Sequence, residues 1–444
     1  MKLSSYQPIQ GNISRRSVLA ASGLLSLFAA TGCVPQSASS GSSANGTLRM
    51  AWWGSAPRQA AYTDFLEGFS NANPDVTLKL EPAEYAAYLD RLATQAAAKK
   101  LPDVLWAPES QFATYAAQST FLDLDTLDKG TIDYSQFDQG QVDSWRAMGG
   151  KQYSAVFNQI NPVIQINKDE FTATGLSAPD DKSWEWKDLG ALAKEYSKAK
   201  GDGYFGMRYE GANFLHLTQY IRQQGAELFD KEGKIGFDAG VVGDWFSMWE
   251  GWVKDGSSMP AELAGSVATP YPQVAGKIAI AFAQSNHFVE NQAATKGELT
   301  MHLMPANKGA AAGYPFLWYS RVCIAANTPN PELAGRLVNY FINDPGVLST
   351  AGVVSGPPSN PSLRKQALEE AQKAGKSEDI KVLEIMERDL AREMRPRAPY
   401  PNGSAGFGSL VSRTAENVTS GGVAIDQAVK DLITELQRSL DAAK

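Results

Sequence analysis

Cysteine and histidine are scarce in this chain of 444 residues, which contains two Cys and three His. Cys33 lies in an N-terminal leader, so Cys323 has no partner, and we expect an inert core thiol rather than a disulfide framework. The histidines are far apart in the sequence and have no companion ligands at metal-binding spacing. We therefore predict no metal site and no cofactor.

Long runs of positive charge are also missing, and the net charge of the chain is −7. Nucleic acid is therefore not an expected partner. Catalytic motifs are missing as well. Gly201–Gly206 fits G-x-G-x-x-G, but it follows a predicted helix and precedes a predicted strand, the reverse of a dinucleotide site. Because no G-x-S-x-G nucleophile elbow occurs, we predict no catalytic residues and no enzyme activity.

Only one stretch is strongly apolar, and it is too short to cross a bilayer, which takes about 20 residues. It reads SRRSVLAASGLLSLFAATGC and spans residues 14–33. Paired arginines before an apolar segment and a small-residue site are typical of a secretory signal. The arginine pair indicates twin-arginine export, although Val18 and Leu19 replace the usual Phe and Leu, so Sec export remains open.

Small residues directly before Cys33 resemble a bacterial lipobox. We predict that residues 1–32 are a signal peptide, that Cys33 is lipidated, and that the Ser/Gly/Ala-rich residues 33–46 form a flexible tether. The protein would then be held at the outer face of the cytoplasmic membrane. The alternative is an ordinary cleaved signal with an incidental cysteine.

Strands and helices alternate after the tether. Strands are predicted at Thr47–Gly54, Asp75–Glu81 and Leu101–Trp106, which indicates an α/β fold with a doubly wound parallel sheet. Ligands of such sheets bind beyond the carboxyl ends of the strands. Aromatic and polar residues follow these three strand ends, namely Trp53, Ser55, Glu84, Tyr85 and Glu109.

Sugars present apolar C–H faces and a rim of hydroxyls, so their sites combine flat aromatic rings with fixed polar groups. Trp53, Trp318 and Tyr319 lie at predicted strand ends or loops, and we predict that they face a cleft. Other tryptophans lie in or at the start of predicted helices, where we expect core positions: Trp184, Trp186, Trp249 and Trp252.

Five segments, in their order and spacing, resemble the family 1 extracellular solute-binding proteins of bacterial ABC sugar importers, the maltodextrin-binding-protein-like group. They are PDVLWAPESQFATYAAQSTFLDLD (102–125), GGKQYSAVFNQINPVIQINKDEFTATGL (149–176), SWEWKDL (183–189), GKIAIAFAQSNHF (276–288) and NPELAGRLVNYFINDPG (330–346). The resemblance implies a periplasmic-binding-protein-like type II fold with two doubly wound lobes joined by a multi-crossing hinge. We predict an N-terminal lobe of residues 47–157 plus about 322–375 and a C-terminal lobe of 158–321 plus about 376–444, with a hinge contribution from 158–162.

The resemblance also implies ligand-binding residues. Among the residues noted after the strands it points to Trp53, Ser55, Tyr85 and Glu109, and it adds Trp106, Asn158, Asn213, Asn286, Trp318, Tyr319 and Arg321. The maltodextrin-binding branch has an aromatic residue at the position of Asn286, so the resemblance gives no support for α-glucan specificity.

The resulting hypothesis is a monomeric, lipid-anchored receptor that captures a sugar, most simply an oligosaccharide, by hinge closure and delivers it to ABC permease subunits. Three alternatives remain open. A secreted glycosidase could use Glu84 and Glu109 as its carboxylate pair. A receptor for a glycerol-phosphate ester could pair the phosphate with Arg58 or Arg321. A structural or adhesive surface lipoprotein is the third.

Overall fold

The computed structural model describes residues 46–147, 149–267, 276–307, 309–310, 317–392 and 397–444. Nine strands lie in these residues: β1 Thr47–Trp53, β2 Thr77–Ala83, β3 Val104–Ala107, β4 Ala155–Ile160, β5 Pro162–Asn167, β6 Phe205–Met207, β7 Ile278–Gln284, β8 Leu299–Leu303 and β9 Trp318–Ile324. They carry fifteen α-helices: α1 Ala56–Ala72, α2 Tyr85–Ala97, α3 Glu109–Ala117, α4 Gln139–Asp143, α5 Lys168–Ala173, α6 Trp186–Lys200, α7 Phe214–Gln223, α8 Ala239–Lys254, α9 Phe288–Ala294, α10 Pro331–Asn343, α11 Gly346–Thr350, α12 Pro361–Ala374, α13 Ser377–Leu390, α14 Phe407–Thr419 and α15 Ile425–Ala442.

The first sheet has the strand order β2-β1-β3-β9-β4. Strand β1 pairs in parallel with β2 and β3, as the sequence predicts. Strand β9 enters from the other half of the chain and pairs antiparallel with β3 and β4, so the sheet is mixed rather than wholly parallel. Successive side chains of β1 point to opposite faces of the sheet. Leu48, Met50 and Trp52 are buried in the core on one face, and Ala51 is buried in a second hydrophobic cluster on the other face. Helices therefore cover both faces.

The second sheet has the order β6-β7-β5-β8, in which β5 pairs antiparallel with both β7 and β8. Its core includes apolar residues from α5–α8, α14 and α15. We call the first sheet with its helices the first lobe and the second sheet with its helices the second lobe. The predicted α/β fold with two lobes is confirmed, whereas the lobe boundaries near residues 157, 322 and 375 stay predictions.

The first passage between the lobes is very short. Strand β4 continues to Ile160 and β5 begins at Pro162, so Asn161 alone joins the two sheets. Its side-chain amide donates to Asp389 of α13 at 3.3 Å, and its backbone N–H donates to the Ser285 hydroxyl at 3.3 Å. Asn161 and Asp389 are 0% and 2% exposed. The junction is thus a tightly packed polar contact of three segments.

Cys323 and the helical tryptophans occupy the core as predicted. Cys323 is fully buried, and burial raises the pKa of its thiol. The indoles of Trp184, Trp186, Trp249 and Trp252 are all buried. The signal peptide, Cys33 and the tether up to residue 45 lie outside the described residues. Within the part of the chain that is described, no helix combines the length and apolar character needed to cross a membrane.

Candidate functional site

Aromatic side chains gather where β1, β2 and β3 end. Trp53 ends β1, Tyr85 begins the helix after β2, and Trp106 lies in β3. The ring of Trp53 is 5.6 Å from that of Tyr85, 5.3 Å from Trp106 and 5.2 Å from Tyr88. Tyr85 is 45% exposed, whereas Trp106 is 2% exposed. Trp106 therefore supports the cluster from below, and Trp53 and Tyr85 present its surface.

The aromatic cluster lies close to a cavity between the lobes, on the side of Ser110. Burial raises the pKa of Tyr85 and the side chain of Ser110 on α3 opposes this rise, so the two side chains are neighbours. Ser110 also lines a cavity of about 650 Å³. We call this the interlobe cavity. Its other walls come from the second lobe and the segment before α14: Phe214, Leu228, Phe229, Tyr400, Ser404, Ala405, Phe407, Gly408, Ser409, Ser412, Arg413 and Glu416. Both lobes thus contribute to one space that holds aromatic rings and hydroxyl groups.

Trp318 extends this aromatic lining. It is the first residue of β9 and pairs with Ile160, next to the passage between the sheets. Its ring lies 6.0 Å from that of Phe214, which in turn lies 6.2 Å from Phe407. The rings of Phe214 and Phe407 line the interlobe cavity, and Trp318 of the first lobe continues the row next to them.

Glu109 is the centre of a buried ion cluster. Its carboxylate accepts from Arg321 Nε at 2.7 Å and also pairs with Arg397. Arg321 further donates to the Trp145 carbonyl at 3.0 Å and the Ser154 hydroxyl at 2.8 Å. Burial favours the neutral carboxyl, but the two guanidinium charges outweigh it and hold the pKa of Glu109 below its usual value. Glu109 is therefore ionised at neutral pH.

This geometry bears on the glycosidase alternative. A general acid at neutral pH needs a raised pKa, and Glu109 has the opposite shift. Its proposed partner Glu84 is exposed and directly precedes α2. The geometry therefore gives Glu109 the role of an ion-pair partner.

The remaining charged and hydroxyl candidates are distributed around the lobe junction. The Ser55 hydroxyl donates to Glu290 of α9, the helix that comes after β7, at 3.2 Å. Arg58 donates to the Val354 carbonyl from Nε at 3.1 Å and from Nη2 at 2.7 Å. Because Arg58 and Arg321 are both engaged with protein oxygens, a phosphate ester would have to displace existing hydrogen bonds.

The three asparagines do not form one group. Asn158 donates to the Tyr62 hydroxyl at 3.2 Å in the first lobe. Asn213 precedes α7, where its Oδ1 accepts from the Leu215 N–H, and its Nδ2 donates to Glu210 at 3.1 Å. Asn286 is 5% exposed and follows β7. Asn158 and Asn213 have local structural partners, so a ligand role for them stays a prediction.

The structure thus brings the predicted residues into separate groups. Trp53, Tyr85 and Trp106 form the aromatic cluster, and Glu109, Tyr319 and Arg321 lie together, with the Arg321 guanidinium 5.1 Å from the Tyr319 ring. Tyr319, predicted to face the cleft, is 7% exposed and belongs to the first core. Its hydroxyl contacts Ser144 at 3.2 Å inside the lobe.

Sequence reasoning missed the second-lobe aromatics of the cavity, chiefly Phe214, Tyr400 and Phe407. One signal was present, because Tyr400 and Phe407 fall in the Pro/Gly-rich interval 395–408, which interrupts the C-terminal helices. Loops carried by a rigid scaffold are common places for binding residues. Phe214 follows the predicted Asn213 directly.

Comparison with known proteins identifies the family. The model of the bacterial extracellular solute-binding proteins matches residues 60–377, well over half of the chain. The chain belongs to this family. It is thus a solute-binding protein of an exported class.

Solved structures of solute-binding proteins share the fold at low sequence identity. A periplasmic solute-binding protein of Pectobacterium atrosepticum is 20% identical with a TM-score of 0.77, covering 89% of this chain and 99% of that one. An ABC substrate-binding protein of Listeria monocytogenes in complex with cycloalternan is 18% identical with a TM-score of 0.74, covering 89% and 99%. A periplasmic oligogalacturonide-binding protein of Yersinia enterocolitica, in complex with saturated digalacturonic acid, is 20% identical with a TM-score of 0.73 and the same coverage. At this identity they show the fold alone.

Proposed function

We propose that this solute-binding protein captures an oligosaccharide between its lobes and delivers it to the permease of an ABC importer. The observation that carries the proposal is the interlobe cavity, where aromatic residues of the second lobe share one space with Ser110, a neighbour of the Trp53–Tyr85 surface. Flat rings beside hydroxyl groups suit the apolar faces and hydroxyl rims of sugars. Sugar-binding structural neighbours support this choice of cargo.

The mechanism we propose is hinge closure. The two sheets are joined through Asn161 alone at the first passage, so rotation there changes the distance between Ser110 and the Phe214–Phe407 wall. A sugar that contacts both walls binds the closed state more tightly than the open one and shifts the population toward it. The closed surface would then be what the permease subunits recognise.

The location we propose is the outer face of the cytoplasmic membrane, with Cys33 as the lipid anchor. Export followed by lipidation would leave residues 34–46 as a tether for the two-lobed body. The test is fractionation of cells that express the full chain. The wild-type protein should sediment with membranes, and Cys33→Ser should appear in the soluble fraction. Equal membrane association of both proteins would contradict lipidation at this cysteine.

A thermal-shift screen against mono- and oligosaccharides tests the cargo. Binding to the native state raises the free energy of unfolding by RT ln(1 + [L]/Kd), about 4 kcal/mol at a thousandfold excess over Kd. A stable shift with a saccharide that stays intact supports the receptor. A shift that decays as product appears would favour a glycosidase. No shift with any saccharide would contradict the proposal.

A further inference from the structure

A second cavity, of about 370 Å³, lies beside α3. We call it the α3 cavity. Its lining includes the small side chains of Ala113, Ala116 and Ala117 on α3, together with residues 397–400 and 402. Its volume falls in the range of about 300–1,000 Å³ found for small-molecule sites. Tyr400 lines both this cavity and the interlobe cavity, so the two are adjacent.

The described walls of the α3 cavity carry an excess of positive charge. Four cations line it, Arg146, Lys151, Arg321 and Arg397, against one acid, Glu109. Arg146 is matched outside the cavity, because it pairs with Asp125 at 2.6 Å and with Asp143 at 3.5 Å. The single charge of Glu109 is shared between Arg321 and Arg397. With Arg146 matched elsewhere, Lys151, Arg321 and Arg397 against the one carboxylate of Glu109 give the described walls of the cavity a positive potential.

Lys151 is the cation best placed to meet a ligand. It is exposed, and its ammonium lies 5.9 Å from the Tyr153 ring. Among the described residues no carboxylate lies within ion-pair distance of it. The guanidinium of Arg397, which pairs with Glu109, is also held over the Tyr319 ring at 5.0 Å and over the Tyr400 ring at 5.3 Å, and these contacts fix its orientation. The cavity therefore combines an exposed cation at the surface, Lys151, with a more buried one, Arg397.

The planar fork of an arginine matches the two oxygens of a carboxylate, and Arg321 and Arg397 already bind the carboxylate of Glu109. We propose that the α3 cavity binds the carboxylate of an acidic sugar unit of the cargo, with Lys151 and Arg397 supplying the positive charge. This inference rests on the proposed capture of an oligosaccharide. It adds that the cargo contains a uronic acid.

Calorimetric titration of the full-length chain with digalacturonate and with its dimethyl ester tests this inference. The ester keeps the sugar skeleton and removes both charges. We expect the acid to bind at least about tenfold more tightly than the ester, and added salt to reduce that ratio. Lys151→Gln should weaken binding of the acid about three- to tenfold and leave the ester unchanged.

Lys129→Gln is the matched control, because Lys129 is an exposed lysine that does not line the cavity. It should bind both probes as the wild type does. Lys151→Glu should weaken binding of the acid more than Lys151→Gln does. Its midpoint of thermal unfolding should stay close to that of the wild type.

The inference would be overturned if the wild type bound acid and ester with equal affinity, or if Lys151→Gln weakened the binding of both by the same factor. Either result would leave the proposed sugar capture intact. Failure of every saccharide to bind, neutral or acidic, would overturn the proposed function and this inference together.

Discussion

The tryptophans of α8 and those at the end of β1 show how the secondary structure around an aromatic ring decides its role. Trp245 and Trp249 lie on a helix whose buried stripe faces the second core, and both are 0% exposed. Trp52 and Trp53 are neighbours on a strand and therefore point to opposite faces. Trp52 is fully buried, whereas Trp53 is partly exposed beside Tyr85. The same residue type thus builds the core in one lobe and the candidate sugar surface in the other.

Removal of a helical tryptophan is the largest effect that we expect. Trp249→Ala should lower the free energy of unfolding by about 3–5 kcal/mol, because it leaves a cavity among Trp245, Trp252 and Phe282. Urea denaturation measures this loss. Trp249→Phe, which keeps part of the volume, should lose clearly less. A loss below 1 kcal/mol would show that this ring is not a core element.

Buried charge provides a second contrast between site and scaffold. Unlike Glu109, Asp389 has no guanidinium hydrogen-bonded to it among the described residues. Burial raises the pKa of Asp389 to about 7, and the smaller opposing effects of Arg392, Asn161 and Arg388 do not cancel this rise. The native state therefore binds this proton more tightly than the unfolded chain does. The stabilisation that the protonated Asp389 gives the native state is fully present below the unfolded-state pKa. This stabilisation is lost as pH rises through the native pKa of about 7.

Asp389→Asn removes this ionisation and should stabilise the protein at pH 8 by up to about 4 kcal/mol. The advantage of the variant should shrink by about 3 kcal/mol at pH 5, where the wild-type carboxyl is largely protonated in the native state. Urea denaturation of both proteins at the two pH values measures the difference. Asp90→Asn, at an exposed position, is the control. A difference that does not change with pH would refute a raised pKa at Asp389.

Trp53 should show the opposite behaviour to Trp249. Trp53→Ala should weaken saccharide binding about tenfold, through loss of its ring surface, while lowering stability by only about 1–2 kcal/mol. Calorimetric titration with a saccharide found in the thermal-shift screen, together with urea denaturation, separates the two effects. If Trp53→Ala binds sugar as the wild type does, the aromatic cluster is not part of the site.

Tyr85 should give the smallest effect. It is 45% exposed and sits at the edge of the cluster, so Tyr85→Ala should weaken binding about threefold and leave stability within about 0.5 kcal/mol. Tyr85→Phe keeps the ring and removes the hydroxyl that neighbours Ser110. If Tyr85→Phe binds the saccharide as tightly as the wild type, the contribution of Tyr85 to binding comes from its ring. If it binds only as tightly as Tyr85→Ala, the contribution comes from the hydroxyl.

Much of the fold could be predicted because it depends on local patterns. The alternation of apolar residues places β1 at Thr47–Trp53, within one residue of the prediction, and the late helix at Pro331–Asn343 begins at a proline and ends before Asp344. The polar residues after Phe157 predict a wider break between β4 and β5 than the structure has. Strand β4 continues through them because its partner β9 extends to Trp318, and such pairing is not visible in local sequence.

The candidate site was predicted less completely because its contacts join distant parts of the chain. Glu109 meets Arg321 and Arg397 across separations of 212 and 288 residues. A strand-end position predicts that Glu109 faces a ligand, but only the fold shows that two arginines bind it. The strand-end argument predicts Trp53, Tyr85 and Glu109 together, because parallel strands bring their carboxyl ends to one edge, whereas Trp106 is implied only by the family resemblance.

The central claim is that a saccharide closes the two lobes around it. Small-angle X-ray scattering of the protein without ligand and with a saturating saccharide from the thermal-shift screen tests it most directly. The account predicts a smaller radius of gyration with the sugar, and a smaller change for Trp53→Ala at the same sugar concentration. An unchanged radius of gyration in a sample shown by calorimetry to be saturated would contradict capture by hinge closure.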